Sequence, residues 1–224
     1  MEKLLPETLT DLRQELGLLM EYAAPADERA KLAAVVDRYG TDIIALKVFH
    51  SFYSYLPEAM DDGIVELRRI TNRQGVFLFS AKTLLGDYLY LADREKAEFL
   101  GALAEGIWDQ EILEFFGWRD REGFLKAVAA MEELAAHLPV NEAAELCPVC
   151  ATANGELHTP GCPVEVCPWC GGQLIHCPCR FDKTGIKEFS QEGHVDAFLA
   201  FLDQKGRIPF DARDQRPAYK REED

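Results

Sequence analysis

Residues 147–179, CPVCATANGELHTPGCPVEVCPWCGGQLIHCPC, hold all seven cysteines of a 224-residue chain. The stretch is dense in Cys, Pro and Gly and carries almost no apolar periodicity, whereas the segments on either side do carry it. A composition shift of that kind marks a change of domain and places a boundary near residues 140–146. The expected organisation is a helical α+β domain over 1–139, a zinc-binding module over 140–189, a C-terminal helix and clamp over 190–210, and a flexible tail over 211–224.

Four ligand pairs follow one another in the stretch: Cys147 and Cys150, His158 and Cys162, Cys167 and Cys170, Cys177 and Cys179. An odd number of cysteines packed into one segment suits thiolates on a metal, in a reducing compartment such as the cytoplasm, better than a disulfide framework. Zinc takes four N or S ligands tetrahedrally, at about 2.3 Å for sulfur, so these eight donors suffice for two ions. In each Cys-Pro-X-Cys turn two sulfurs bite one ion. The proline stiffens the turn, and Gly171 relieves the crowding just past the second cysteine. Sixteen residues, 151–166, separate the two turns, inside the roughly 15–20-residue window for two knuckles on one ion. That spacing favours an interleaved pairing, with Cys147, Cys150, Cys167 and Cys170 on one ion and His158, Cys162, Cys177 and Cys179 on the other. The competing arrangement is sequential, the first two pairs on one ion and the last two on another. His176 is a ninth candidate, able to replace Cys179 if the single-residue gap is too tight; an exposed position beside the site is the simpler expectation for it.

The two knuckles are similar to those of zinc ribbons, and the interleaved pairing resembles cross-braced double-zinc modules. The run from His158 to Cys179 also resembles short cysteine-rich cassettes of bacterial proteins of unknown function. The likeness covers about 35 of the 224 residues and implies structural zinc, two ions per chain. The one-residue gap in the last pair departs from the pattern, as does the lack of a helix-forming segment between the second and third pairs. The ubiquitin-ligase chemistry of some cross-braced modules is therefore not carried over.

A catalytic zinc keeps an open position for water beside a base. Here the ligands fill two closed sites, and Glu165 is the only carboxylate placed to act as a base, so a supporting or solvated role is expected of it. Four thiolates also suit iron. A redox dithiol is disfavoured, because no thioredoxin-like strand–helix context surrounds the Cys-X2-Cys pairs.

Charge argues against phosphate partners. The chain carries a net −15, of which residues 1–139 supply −10 and residues 140–224 supply −5. Within 147–187, Arg180, Lys183 and Lys187 balance Glu156, Glu165 and Asp182, and two zinc ions on seven thiolates leave about −3. Such a balance disfavours nucleic acid and anionic membranes and suits a basic partner or plain solubility. Trp169 and Phe181 have the faces to stack on bases, but packing within the protein is the expectation.

Upstream, Pro6 to Ala23 places Leu9, Leu12, Leu16, Leu19 and Met20 at helical spacing. A second helix restarts at Pro25-Ala26-Asp27-Glu28 with a stripe of Leu32, Val35, Val36 and Tyr39. Thr41 is the expected cap of a third, strongly apolar helix ending at Leu56-Pro57. Ile64–Ile70 is placed to pair as a strand with Val76–Phe79 across Asn72-Arg73-Gln74-Gly75, and Asp87–Leu91 is rich in strand formers, with buried helix as the equal alternative for these short apolar runs. Helices are expected again from Asp93 to Glu105, over Gln110–Phe116, and from Asp120 through Phe124, Leu125, Val128, Met131 and Ala135. His50 reads as a core or half-exposed histidine, Asp61-Asp62 and Asp93 as caps or solvated loops. Trp108, Phe115, Phe116 and Trp118 read as core aromatics, with a partner surface as the alternative. Residues 1–139 carry no recognisable family motif.

Downstream, Val195, Phe198, Leu199 and Leu202 form one amphipathic helix with Gly206 at its end, and Ile208-Pro209-Phe210 is placed to clamp it. No apolar run reaches 18 residues, and the start Met-Glu-Lys-Leu-Leu-Pro-Glu lacks a secretory pattern. The sequence thus points to a cytoplasmic zinc-binding protein, a non-enzymatic adaptor or regulator with a protein partner. The alternatives are a nucleic-acid-associated zinc ribbon and an enzyme whose pocket gathers residues such as Asp87, Glu105 or His50.

Overall fold

The computed structural model describes residues 9–55, 61–131, 134–140, 145–185 and 192–215. The chain divides into two compact units, Met1–Asn141 and Glu142–Asp224. It is α+β, as the sequence predicts: among the described residues there are seven helices and a four-stranded antiparallel sheet. No helix among those residues is long and apolar enough to cross a membrane.

In the first unit, α1 (Leu9–Ala23) buries Leu12, Leu16 and Met20, one residue per turn along a single stripe. α2 (Arg29–Arg38) buries Leu32 and Val36 in the same way. α3 (Ile43–Tyr55) buries side chains all round, including Ile44, Leu46, Val48, Phe49 and Phe52, which makes it the central helix. It lies between α1 and the strands β3 and β4. Its cap is Asp42 and not Thr41: the Asp42 carboxylate accepts from the Ala45 N–H at 3.0 Å. The helix start expected at Pro6 and the stop at Leu56-Pro57 lie outside the described residues.

The strands form a meander in the order β1-β2-β3-β4. β1 (Ile64–Arg73) turns into β2 (Val76–Thr83) through Gln74-Gly75, with φ of 50° and 80°, and Arg73 pairs directly with Val76. Two left-handed residues in a two-residue loop match the twist of the flanking strands, and glycine at the second removes the steric cost there. β3 (Asp87–Ala92) is followed by β4 (Ala97–Ala102) and a 3-10 turn, Leu103–Glu105, where the sequence predicts a helix. Asp93 caps a hairpin turn instead, accepting from the N–H groups of Glu95 and Lys96 at 2.7 and 2.9 Å. The free edge of β3 and the Tyr90–Phe99 cross-strand pair, ring centroids 5.6 Å apart, outweigh the weak helical preference of the segment.

β2 is buried on both faces. Alternation sends Phe77 and Phe79 one way and Leu78 the other. Phe79 meets His137, which stacks on Tyr39, itself packed on Phe49 of α3. Leu78, Ile70 and Leu89 form a second core with Ile107, Leu113 and Phe124, carried by α4 (Gln110–Phe115), α5 (Arg121–Ala130) and their approach loop. Asp120 caps α5 through the Gly123 N–H at 2.7 Å. α5 ends at Ala130 rather than running on to Ala135, because residues 134–140 leave the helix to run beside β1, where the His137 N–H donates to the Leu67 carbonyl at 2.8 Å.

The remaining candidates of this unit separate in the fold. Trp118 packs edge-on against Phe124 and near Phe116, with Phe115 against Phe116. Trp108 is 68% exposed, with the Arg121 guanidinium 3.9 Å from its ring centroid. His50 is half-buried, 3.3 Å from Glu15. Asp61 is exposed, while Asp62 is buried and accepts from the N–H groups of Gly63 and Leu84. A cavity of about 290 Å³ between α1 and α2 is lined by Arg13, Gln14, Met20, Val36 and Asp37 and includes none of Asp87, Glu105 or His50.

Candidate metal centre

The second unit is built on two copies of one turn, twenty residues apart. In the first, the Cys147 N–H donates to the Thr152 carbonyl and the Ala151 N–H to the Cys147 carbonyl, at 2.8 and 2.9 Å. In the second, the Cys167 N–H donates to Gly172 and the Gly171 N–H to Cys167, at 2.7 and 2.9 Å. Isolated bridges Leu146–Ala153 and Val166–Gln173 close each turn, and the bonds from Asn154 to Glu145 and from Leu174 to Glu165 repeat at the same offset. The residue just past the second cysteine is left-handed in both knuckles: Gly171 at φ 74° and Ala151 at φ 55°.

The donor atoms assemble as Cys147, Cys150, His158 and Cys162, and as Cys167, Cys170, Cys177 and Cys179, each group lying within 4.8 Å of one another. The grouping is sequential, which overturns the interleaved pairing and with it the cross-braced likeness. Each knuckle folds back on itself through its own bridge, so the pair that follows it in the chain reaches it first. The 16-residue spacer does not join the knuckles to one ion; it carries His158 and Cys162 back to the first knuckle. Cys179 belongs to the second group despite the one-residue gap, opening the short helix α6 (Cys179–Asp182), and His176 is exposed outside it.

The spacing within the groups fits a tetrahedral ion. Two sulfurs each about 2.3 Å from such an ion stand about 3.8 Å apart; Cys147 and Cys162 Sγ are 3.7 Å apart. Nδ1 of His158 is 3.3 Å from Cys150 Sγ. All seven cysteines are free thiols. Hydrogen bonds from Cys147 and then Cys162 hold Cys150 far below the ordinary thiol range, while Cys162, crowded by Cys147 and Cys150, is pushed far above it. Burial works against a charge on His158, yet hydrogen bonding to Cys147, Cys150 and Gln215 outweighs it and pushes its pKa up to about 10. Sulfurs packed this closely repel one another as thiolates, and a cation between them would relieve that repulsion. Both clusters can therefore hold a metal ion.

Each cluster has its own cover. Over the first, Phe210 and Ala212 pack on Cys147, Cys162 and Val164, and the Phe210 ring meets His158 edge-on at 5.2 Å. Phe210 is fixed by a pair of backbone bonds, Gly155 N–H to its carbonyl and its N–H to Glu156, both 2.8 Å. Residues 211–215, expected to begin a loose tail, are instead part of this cover: Gln215 is buried, its amide donating to the Pro209 carbonyl at 2.8 Å. The tail residues 216–224 lie outside the described residues. Over the second cluster lies α7 (Glu192–Lys205), which sets Leu202, Phe198 and Leu199 against Cys167, Leu174 and Cys177, while Trp169 stacks on Phe201 at 5.7 Å.

Glu165 is neither solvated nor poised as a base. It is 2% exposed and ion-paired with Arg207 Nε at 2.7 Å, and the same guanidinium donates to the His158 carbonyl at 2.6 Å. The pair ties the end of α7 to the peptide between the clusters. Gln215 and Arg207 are the supporting residues that sequence spacing misses, while Phe210, expected as a clamp on the C-terminal helix, packs on the first cluster. Comparisons with protein-family models, curated protein sequences and solved structures gave no match to this chain.

Proposed function

We propose that this chain is a non-catalytic, cytoplasmic zinc-binding protein in which two structural zinc ions fold the second unit into a protein-binding platform. The observation that carries the reading is the pair of four-donor groups, one of three sulfurs and an imidazole and one of four sulfurs, each supplying a full tetrahedral shell from protein alone. A full shell leaves no position for substrate or activated water. Soft thiolate donors favour zinc over magnesium or calcium, and seven reduced cysteines suit a reducing compartment. The net charge of −15 supports a basic protein partner over nucleic acid.

Native mass spectrometry with elemental analysis of protein purified under reducing conditions tests the metal: two zinc ions per chain support the reading, while iron or a single ion overturns it. The platform is tested by comparing proteins retained by the zinc-loaded and the chelated chain. A partner held equally well by both would remove the role given to the metal.

A further inference from the structure

The two clusters differ in how far solvent reaches them. In the first, Cys147 and His158 are 0% exposed and Cys162 is 5% exposed, under a cover locked by Gln215 and Arg207, and Cys150 is half-buried, so no donor is fully exposed. In the second, Cys167 is sealed, but Cys170 is exposed and Cys179 half-exposed, and both belong to the same four-sulfur group. An oxidant therefore meets the second cluster first, since thiolate oxidation follows accessibility.

The second cluster is also what holds α7. Among its described side chains the helix buries only Leu202 fully, with Phe198 and Leu199 half-buried, and its exposed positions include Val195. A cavity of about 230 Å³ remains beneath it, lined by Leu174, Ile175, Val195, Phe198, Leu199 and Leu202. So thin a contact depends on the cluster keeping Leu174 and the Trp169 ring in place. Past the helix, the Arg207 guanidinium on the His158 carbonyl and the Phe210 backbone bonds to Gly155 and Glu156 anchor the chain on the side of the first cluster.

We propose that the second cluster is a redox-sensitive latch on α7, a reading that rests on the zinc assignment above. The oxidant is a peroxide. The Cys170 thiolate attacks one peroxide oxygen, and with one proton taken up it becomes a sulfenic acid as water leaves. The Cys179 thiolate then attacks that sulfur, forming a Cys170–Cys179 disulfide and, with a second proton, a second water. Two sulfurs are oxidised by two electrons in all and one peroxide is reduced. The zinc keeps only Cys167 and Cys177 and departs, α7 is released up to Arg207, and the first cluster stays loaded.

The test uses the full chain. Native mass spectrometry first establishes two zinc ions per chain; fewer at this stage means that the zinc assignment itself has failed. Substoichiometric hydrogen peroxide is then added with a colorimetric zinc indicator, followed by peptide mapping and hydrogen exchange. One ion should leave about tenfold faster than the other, reflecting the accessible thiolates. The disulfide should contain Cys170, and exchange should rise over 192–205 while 147–162 and 207–215 stay protected. Simultaneous loss of both ions, a first disulfide within Cys147, Cys150 and Cys162, or unchanged exchange over 192–205 overturns the proposal. Cys170→His keeps a donor while removing the exposed thiol, so a two-zinc variant that still loses one ion at the wild-type rate also overturns it. If that variant does not load, the exchange map of the native chain decides alone.

Discussion

Nε2 of His158 lies 3.0 Å from Oε1 of Gln215, fifty-seven residues along the chain, while Nδ1 of the same ring faces Cys150 Sγ. The Gln215 amide nitrogen is committed to the Pro209 carbonyl, so its oxygen is the atom that meets the ring. Nε2 must then carry the proton, leaving Nδ1 as the metal-facing donor. Gln215→Ala should weaken zinc at the first cluster by about 10–100-fold, read by chelator competition, with the second cluster unchanged. Equal weakening of both clusters would mean that the effect is general unfolding.

Ala151 stands at φ 55° where the second knuckle has Gly171 at 74°. A left-handed non-glycine residue costs about 1–2 kcal/mol, partly offset by the greater backbone freedom glycine loses on folding. Ala151→Gly should therefore stabilise the zinc-loaded unit by up to about 1 kcal/mol, measured as a higher denaturation midpoint. Gly171→Ala should shift it the other way.

Chelation should unfold Glu142–Asp224 and spare Met1–Asn141, because only the second unit contains the clusters, whereas the first has its own core on both faces of the sheet. Hydrogen exchange with and without chelator checks this. Retained protection around Trp169 in the stripped protein would contradict it.

Asp42 and His137 form a buried pair, Oδ2 to Nε2 at 2.8 Å, with side chains 0% and 1% exposed. The same carboxylate accepts from the N–H groups of Ala45 and Val140, and the Tyr39 hydroxyl donates to the His137 carbonyl at 2.9 Å. Asp42→Ala strands three buried donors and should cost about 3 kcal/mol or more, seen in urea unfolding of the first unit. Metal content should not change.

Arg207→Met leaves the Glu165 carboxyl group buried beside the second knuckle without its ion-pair partner. Removing one partner of such a pair costs about 3–5 kcal/mol, and the loss should appear in the second unit alone. The double variant Arg207→Met, Glu165→Gln should recover part of it.

The sequence by itself determined what local pattern determines. The stripes of α1 and α2 follow from apolar residues recurring each turn, the position of the turn at Gln74-Gly75 from its turn residues, and the cap of α5 from Asp120. The two knuckles follow from Cys-Pro-X-Cys, in which proline stiffens a turn that already aims two sulfurs at one point. The tertiary structure alone decided the rest. Residues 97–102 are a strand because β3 offers a free edge, and the same local preference without that edge reads as helix. Ligand pairing followed from each knuckle closing on its own bridge, a relation that spacing constrains too weakly to choose. Gln215 and Arg207 reach the first cluster only through the path of α7 and the strap after it, and His137 meets Asp42 from ninety-five residues away. Such partners share no periodicity or motif; they are selected because a buried ring nitrogen, carboxylate or guanidinium must find a hydrogen-bonding group, and only the folded chain decides which one is near.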